Sequence, residues 1–122
     1  MRGKLEHRAL IIQELSGQIV RYSQHKFASN VIEKCMQHAT QPQRDTMIDE
    51  VLRTNTGSSS PLEIMMKDQY ANYVVQRMLE VANDQHRAKM LQFVGANMQM
   101  LKRYTFAKHI LARIEKAYGK LG

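Results

Sequence analysis

Two short stretches of this sequence carry hydrogen-bonding side chains four residues apart, with a flat or amide side chain next to the first of each pair. The two trios are Ser29, Asn30 and Glu33, and Asn72, Tyr73 and Gln76. In a helix, residues i and i+4 share a face, and residue i+1 lies about 100° around from i. Each trio therefore points two polar groups in one direction with a flanking side chain beside them, an arrangement that suits a nucleobase.

The residue types indicate a base for each trio. An ionised Glu33 accepts hydrogen bonds and donates none, which matches the adjacent N1–H and N2–H donors of guanine. Ser29 could add a bond to the same base. Asn72 and Gln76 each carry a donor and an acceptor, so together they can satisfy the acceptor–donor–acceptor edge of uracil.

The neighbouring side chains suit stacking on a base face. Tyr73 offers a ring, and such a contact is worth about 1–3 kcal/mol per base. Asn30 offers a flatter and weaker platform. For an isolated triplet, a solvated helix face is the ordinary interpretation, because polar residues are normally on the surface. The second trio in the same register favours base recognition instead.

Composition restricts the class of protein. The chain has 122 residues, 43% of them hydrophobic, which is enough for one domain with a core. Its lone cysteine, Cys35, excludes an internal disulfide framework, and no apolar run reaches the length of a membrane span, so we expect a soluble intracellular protein. Lys plus Arg exceed Asp plus Glu by 18 to 11, which favours a polyanionic partner but is equally compatible with a merely soluble surface.

The trios belong to an internal repeat. Residues 23–39 align with residues 66–82 at an offset of 43, and residues 101–117 align with the second copy at an offset of 36. Periods of this size are typical of helical solenoids.

Apolar spacing and cap residues predict helices throughout. The first predicted helix carries Leu10, Ile11, Ile12 and Leu15 and ends at Gly17, and it is followed by helices near 18–24 and 27–38 and by one capped by Thr40 or Gln41. Further helices are predicted near 62–67 and 70–82, from a cap at Asn83 to about residue 97, and near 105–118 with its end at Gly119. Val31, Ile32, Val74 and Val75 are expected to face the core, with Cys35 as a small buried residue. Residues 54–63, "TNTGSSSPLE", have the composition of an exposed loop.

The stretches "SNVIE" and "NYVVQ", each followed by a basic residue, resemble the base-reading helices of the Pumilio (PUF) family of RNA-binding proteins. In that family one helical repeat reads one base with such a trio. The resemblance implies an all-α fold, a right-handed, armadillo-like α-solenoid that is partial here. It also implies that the first trio reads guanine and the second uracil, with Asn30 and Tyr73 stacking. Because such repeats bind RNA antiparallel to the chain, the expected ligand is the 5′-UG of a UGU-containing element in an mRNA 3′ untranslated region.

The resemblance also divides the chain, as a single partial repeat domain over residues 1–122. Its parts are the end of a preceding repeat at 1–16, a repeat at 17–53, the loop at 54–63, a repeat at 62–97 and a C-terminal capping repeat at 98–122. In the cap, Lys108, His109 and Ala112 stand in place of a reading trio, and Ala112 cannot hydrogen-bond a base edge. His109 remains a weaker candidate for contact with the last base.

Basic residues near the trios are candidates for phosphate contacts: Lys26, Lys34, Arg77 and Arg113. Lys34 and Arg77 are the stronger candidates because they directly follow Glu33 and Gln76. They are equally compatible with ordinary solvated charges. Arg44 and Arg87 are expected on the opposite face.

No catalytic pattern is present, since His25, Cys35 and Asp68 form no triad-like signature, so we expect no enzyme and no cofactor. Cys35 and His38 are too few ligands for a zinc site. The resemblance implies post-transcriptional repression of translation and mRNA stability in the cytoplasm, through protein partners docking on the outer face or the 54–63 loop, with no membrane or small-molecule partner. The alternative is a helical-repeat scaffold that binds proteins without RNA.

Overall fold

The computed structural model describes residues 18–52 and 60–119, and every regular element in those ranges is an α-helix, as predicted. The helices are α1 (Ile19–Ser23), α2 (Lys26–His38), α3 (Gln41–Leu52), α4 (Pro61–Lys67), α5 (Ala71–Val81), α6 (Asp84–Ala96), α7 (Met98–Leu101) and α8 (Thr105–Tyr118). The helix predicted around Leu10–Leu15, its end at Gly17, and residues 54–59 of the predicted loop lie outside the described residues.

Cap residues set where several helices begin and end. Thr40 and Gln43 cap α3 reciprocally: the Gln43 N–H donates to Thr40 Oγ1 over 3.3 Å, and the Thr40 N–H donates to Gln43 Oε1 over 2.9 Å. Asn83 Oδ1 accepts from the His86 N–H at 2.7 Å at the start of α6, as predicted. At the end of α8, Gly119 has φ +93°, a conformation that glycine adopts without a steric penalty.

Two boundaries differ from the sequence prediction. Ser60 Oγ accepts from the Glu63 N–H at 3.2 Å, and Pro61 occupies the first helical turn, so α4 begins inside the predicted 54–63 loop. The Ser-Pro pair was assigned to the loop on composition, although it is also a helix start. The four-residue helix α7 was not predicted, because so short an element has no periodicity to detect.

The helices form three layers. The inner layer is α2, α5 and α8, which pack side by side in that order. The middle layer is the short helices α1, α4 and α7, with α4 contacting both α5 and α8. The outer layer is α3 and α6, which contact each other. Each of the first two repeats contributes one helix to each layer, and the described part of the capping repeat contributes α7 to the middle layer and α8 to the inner layer. A residue at a given repeat position therefore lies in the same layer in each copy that contains it.

The core runs between the layers and is rich in methionine. Met65, Met78 and Met90 are fully buried, as expected from their apolar helix positions, and Cys35 is buried as well. Unbranched methionine side chains fill irregular gaps between helices, which explains their use here without any binding role.

One predicted core residue is exposed. Val31 is 46% accessible, whereas its repeat equivalent Val74 is fully buried. The reason lies in the order of the inner layer: α5 packs between α2 and α8, whereas α2 stands at the edge of the described layer and packs against α5 on one side. The prediction that both valines face the core was therefore wrong for Val31. Phe27, one turn earlier, is 78% accessible.

Arginines of the outer layer hold the C-terminal ends of the inner helices. Arg44 donates from Nε to Met36 O at 2.7 Å and from Nη2 to Gln37 O at 2.6 Å. Arg87 donates to three carbonyl oxygens at the end of α5 over 2.8 to 3.3 Å. A guanidinium group there satisfies carbonyls that have no helical partner and opposes the negative end of the helix dipole. The sequence predicts only that both arginines lie on the face opposite the two trios. Their 43-residue spacing, equal to the repeat offset, marks them as repeat equivalents.

Candidate nucleic-acid interface

The first trio lies in the first turns of α2. Ser29 is only 4% accessible, and its hydroxyl donates to Lys26 O at 3.1 Å. Asn30 is exposed and donates from Nδ2 to the same carbonyl at 3.3 Å. Glu33, one turn further on, is half-buried. Since the Ser29 proton is already used, both Ser29 and an ionised Glu33 offer acceptors to an incoming group.

Burial perturbs the acidity of Glu33. Its partial removal from water raises the pKa of the Glu33 carboxyl, and the nearby negative charge of Glu80 acts in the same direction. The positive charge of Arg77 opposes both effects. The ionised form of Glu33 is therefore less stable than that of an exposed glutamate, and a pair of hydrogen-bond donors from a ligand would stabilise it.

The second trio is held by Asp68, just before α5. Its Oδ2 accepts from the N–H groups of Tyr70 and Ala71, each at 2.8 Å, which fixes the start of the helix. Its backbone oxygen accepts from Asn72 Nδ2 at 2.6 Å. Asn72 is only 3% accessible, and its bond to Asp68 O fixes the orientation of its side-chain amide. The sequence signal for this role is the position of Asp68 just ahead of a helix, where an aspartate acts as a cap.

Gln76 extends this arrangement towards α8. Gln76 Nε2 donates to Asn72 Oδ1 at 3.3 Å, and Gln76 Oε1 accepts from Arg113 Nη1 at 3.1 Å. The two amides of the second trio are thus hydrogen-bonded to each other and to the capping repeat. The sequence predicts only a possible phosphate contact for Arg113, since nothing in a linear sequence places it against Gln76, 37 residues earlier.

Two clefts flank Tyr73. A cleft of about 360 Å³ between α5 and α8 is lined by Asn72, Tyr73 and Gln76, and by Phe106, His109, Ala112 and Arg113. A second cleft, of about 190 Å³, is lined by Glu33, Tyr73, Gln76, Arg77, Glu80 and Arg113. The Tyr73 ring is 50% accessible and lines both. An exposed ring between two polar clefts is placed to stack on a flat ligand in either one.

The basic residues and the histidine that are predicted to contact RNA lie in different environments. Lys34 is exposed on α2. Arg77 is half-buried and donates from Nη1 to Glu80 Oε2 at 2.7 Å, so part of its charge is already compensated. Lys26 Nζ lies 5.8 Å from the centre of the Phe27 ring. His109 is exposed at the larger cleft.

Comparison with known families decides the identity of these repeats. The family model described as "Pumilio-family RNA binding repeat" matches residues 18–52 and 64–94, which together are more than half of the chain. The chain belongs to the Pumilio family. This membership agrees with the all-helical layers described above, and with the prediction that the chain is not an enzyme, because Pumilio repeats bind RNA without catalysis.

Individual relatives are consistent with this assignment. Pumilio homolog 1 of Xenopus laevis is 49% identical over 76 residues, which cover 62% of this chain and 6% of the frog protein. The solved structure of PUF-8 in complex with PBE-RNA superposes with a TM-score of 0.86 at 34% identity, over 94% of this chain and 33% of that one. A Puf3 RNA-binding domain, bound to a 3′ UTR recognition sequence of Cox17 RNA, superposes with a TM-score of 0.75 at 30% identity, over 86% and 33%. The chain thus spans about a third of these solved domains.

The described residues form no cluster suited to a metal ion and no membrane-spanning helix. Within residues 18–52 and 60–119, no three His, Cys, Asp or Glu side chains lie close enough together to hold a metal ion. None of the helices in the part of the chain that the structure describes combines the length and apolar character needed to cross a bilayer.

Proposed function

We propose that this chain binds single-stranded RNA and reads the dinucleotide 5′-UG, with uracil at the second trio and guanine at the first. The observation that supports this most is the position of Tyr73. Its half-exposed ring lies between a cleft lined by Glu33 and a cleft lined by Asn72 and Gln76. Two consecutive bases can occupy these clefts with the ring between them, each adding about 1–3 kcal/mol of stacking.

The hydrogen-bonding groups support guanine at the first trio. Ser29 and Glu33 both present acceptors, because the Ser29 proton is donated to Lys26 O. The Watson–Crick edge of guanine presents two adjacent donors, whereas adenine presents one donor beside an acceptor. Ionised Glu33 therefore satisfies guanine through both carboxylate oxygens, and adenine through one.

The second trio offers both kinds of group. Once the bonds to Asp68 O, between the two amides and from Arg113 are counted, Asn72 and Gln76 each retain one N–H donor and one acceptor lone pair. Uracil needs two donors and one acceptor from the protein, and this pair can supply them. Lys34, Arg77 and His109 are secondary candidates for phosphate or base contact, with Arg77 the least available because of Glu80.

The affinity of two reading repeats is modest. Two stacked bases with their edge contacts leave micromolar-to-millimolar binding after the free-energy cost of association, roughly −4 to −8 kcal/mol. In the company of further repeats, the same two sites would read the 5′ end of UGU-containing elements in mRNA 3′ untranslated regions. The biological role we propose is cytoplasmic repression of translation and mRNA stability, through proteins docking on the outer layer or the 54–63 loop.

An NMR titration of the chain tests RNA reading directly. With an RNA containing 5′-UGU we expect amide shifts concentrated in α2 and α5, and with the matched RNA 5′-UAU we expect weaker shifts, chiefly at α2. Equal shifts with both RNAs would contradict guanine reading. Absence of any shift at millimolar RNA in a folded sample would contradict RNA binding by this chain and favour the protein-scaffold alternative.

Substitution of Glu33 tests the assignment of the guanine site. Glu33→Gln should reduce the preference for 5′-UGU over 5′-UAU by about tenfold or more, because a bidentate match to a base edge is worth about 1–3 kcal/mol. Glu80→Gln is the matched control, since it removes a carboxylate from the same cleft without touching the proposed base edge. A preference that survives in the Glu33 variant, or that is lost equally in both variants, would argue against Glu33 as the guanine reader.

A further inference from the structure

A chain of hydrogen bonds runs through the second trio from one repeat to the next. Asn72 Nδ2 donates to Asp68 O at 2.6 Å, Gln76 Nε2 donates to Asn72 Oδ1 at 3.3 Å, and Arg113 Nη1 donates to Gln76 Oε1 at 3.1 Å. We call this set the amide relay. Every bond in it points the same way, from Arg113 on α8 towards the backbone ahead of α5.

The groups at the two ends of the amide relay allow only one direction of hydrogen-bond donation. A backbone carbonyl oxygen can only accept a hydrogen bond, and a guanidinium group can only donate. Asn72 must therefore turn its NH₂ group towards Asp68 and its oxygen towards Gln76. Gln76 must in turn direct its NH₂ group to Asn72 and its oxygen to Arg113. Reversing either amide would set two donors or two acceptors against each other, which costs the bond and leaves an unsatisfied polar group.

A fixed amide discriminates between the two pyrimidines. Uracil presents acceptor, donor and acceptor along its Watson–Crick edge, while cytosine presents acceptor, acceptor and donor. These edges differ by the exchange of donor and acceptor at two positions. The two ends of a glutamine amide differ by the same exchange. A glutamine free to rotate by 180° can thus serve both bases, whereas one held in place serves only one of them.

The first trio shows why this device is confined to the second. Arg77 is the repeat equivalent of Arg113 and lies beside Glu33, as Arg113 lies beside Gln76. It pairs with Glu80 on its own helix, and it acts on Glu33 through its charge. The two oxygens of a carboxylate are equivalent acceptors, so Glu33 has no orientation to be fixed.

We propose that Arg113 is a specificity-determining positioning residue, which holds the Gln76 amide in the orientation that accepts uracil and disfavours cytosine. The proposal rests on the proposed function, because it assigns the second trio to a pyrimidine. It gives the capping repeat a part in base selection although Lys108, His109 and Ala112 form no reading trio of their own. Arg113 acts through Gln76 and needs no contact with the base.

The test compares two RNAs that differ only in the base facing the second trio, 5′-UGU and 5′-CGU. Dissociation constants are measured for the 122-residue chain and for Arg113→Gln, Arg113→Ala and Arg113→Lys. Glutamine at position 113 can donate or accept, so it removes the constraint at this end of the relay and leaves only the 3.3 Å bond to Asn72 to orient the Gln76 amide. Lysine donates only, so it preserves the direction of the relay and is the matched control. Circular dichroism establishes that each variant is folded, which is expected because position 113 is exposed.

The expected result is a change in the ratio of the two affinities. The unmodified chain should favour uracil by about tenfold, since a well-matched base edge is worth at least one factor of ten. The ratio should fall to about threefold or less in the Gln and Ala variants and should stay within about twofold of the original in the Lys variant.

Two other outcomes overturn the proposal and are distinct from each other. If the Gln and Ala variants weaken both RNAs equally, Arg113 contacts phosphate and does not select the base. If the unmodified chain binds neither RNA, or binds both equally, the uracil site itself is wrong and the inference about Arg113 falls with the proposed function.

Discussion

The helices α2 and α5 carry the same motif in the same register, but they have different surroundings. α5 has an inner-layer neighbour on each side, its Val74 is fully buried, and its amides are tied to α8 through Arg113. α2 leaves Phe27 and Val31 exposed. The difference shows that in a solenoid the packing of a repeat position is decided by the adjacent repeat as much as by its own sequence.

The comparison can be tested most strongly at the equivalent valines. Val74→Ala should lower the free energy of unfolding by about 2 kcal/mol, because it removes a fully buried side chain and leaves a cavity. Val31→Ala, the matched change at an exposed position, should cost less than about 1 kcal/mol. Urea denaturation followed by circular dichroism measures both. Equal losses would show that α2 and α5 are covered to the same extent in solution.

Arginine substitutions test a feature that the two repeats share. Arg87→Ala and Arg44→Ala should each destabilise the chain by about 1 kcal/mol, because carbonyl groups at a helix C-terminus lose a charged donor. Lysine at either position should recover part of the loss through its charge alone. Measured by urea denaturation, similar values for the two sites would confirm that the caps are equivalent. A loss at Arg87 alone would confine the capping role to the second repeat.

Much of the fold follows from the sequence because it depends on short-range patterns. The Asn83 cap at the start of α6 and Gly119 at the end of α8 each act within a few residues of themselves, and each is found where the pattern predicts. The exposure of Val31 does not follow, since it depends on which helix lies beside α2. A repeat alignment makes equivalent residues look alike even where their neighbours differ.

The candidate site divides in the same way. The spacing of the two trios on their helices is a local property and can be read from the sequence. The contact between Gln76 and Arg113 joins residues 37 positions apart, and it requires the stacking of α5 against α8. Likewise the pKa of Glu33 is raised by burial and by the charge of Glu80 in the next repeat, against the opposing charge of Arg77. The identities of the candidate site residues can thus be predicted from the sequence. The orientation and charge state of their side chains depend on the packing of one repeat against the next.

The pH dependence of guanine preference gives the finest test of the difference between the trios. The pKa of Glu33 is raised above its ordinary value of 4.5, chiefly by burial, while the amides of the second trio do not titrate. If guanine binds the ionised carboxylate, as proposed, lowering the pH towards that raised pKa should weaken the binding of 5′-UGU relative to that of 5′-UAU. The weakening should begin at a higher pH than for an exposed glutamate.

The same pKa shift acts on stability with the opposite sign. Folding favours the protonated form of Glu33, so its contribution to stability is fully present below the ordinary pKa and is lost as the pH rises through the raised value. At neutral pH the chain thus holds a carboxylate that costs some stability and that a guanine edge would satisfy. Glu33→Gln removes the titrating group and should make the ratio of the two affinities independent of pH between about 7 and 5, while the histidines remain in both proteins. A pH-dependent ratio that persists unchanged in this variant would assign the effect to a different group, and would remove Glu33 from the guanine site.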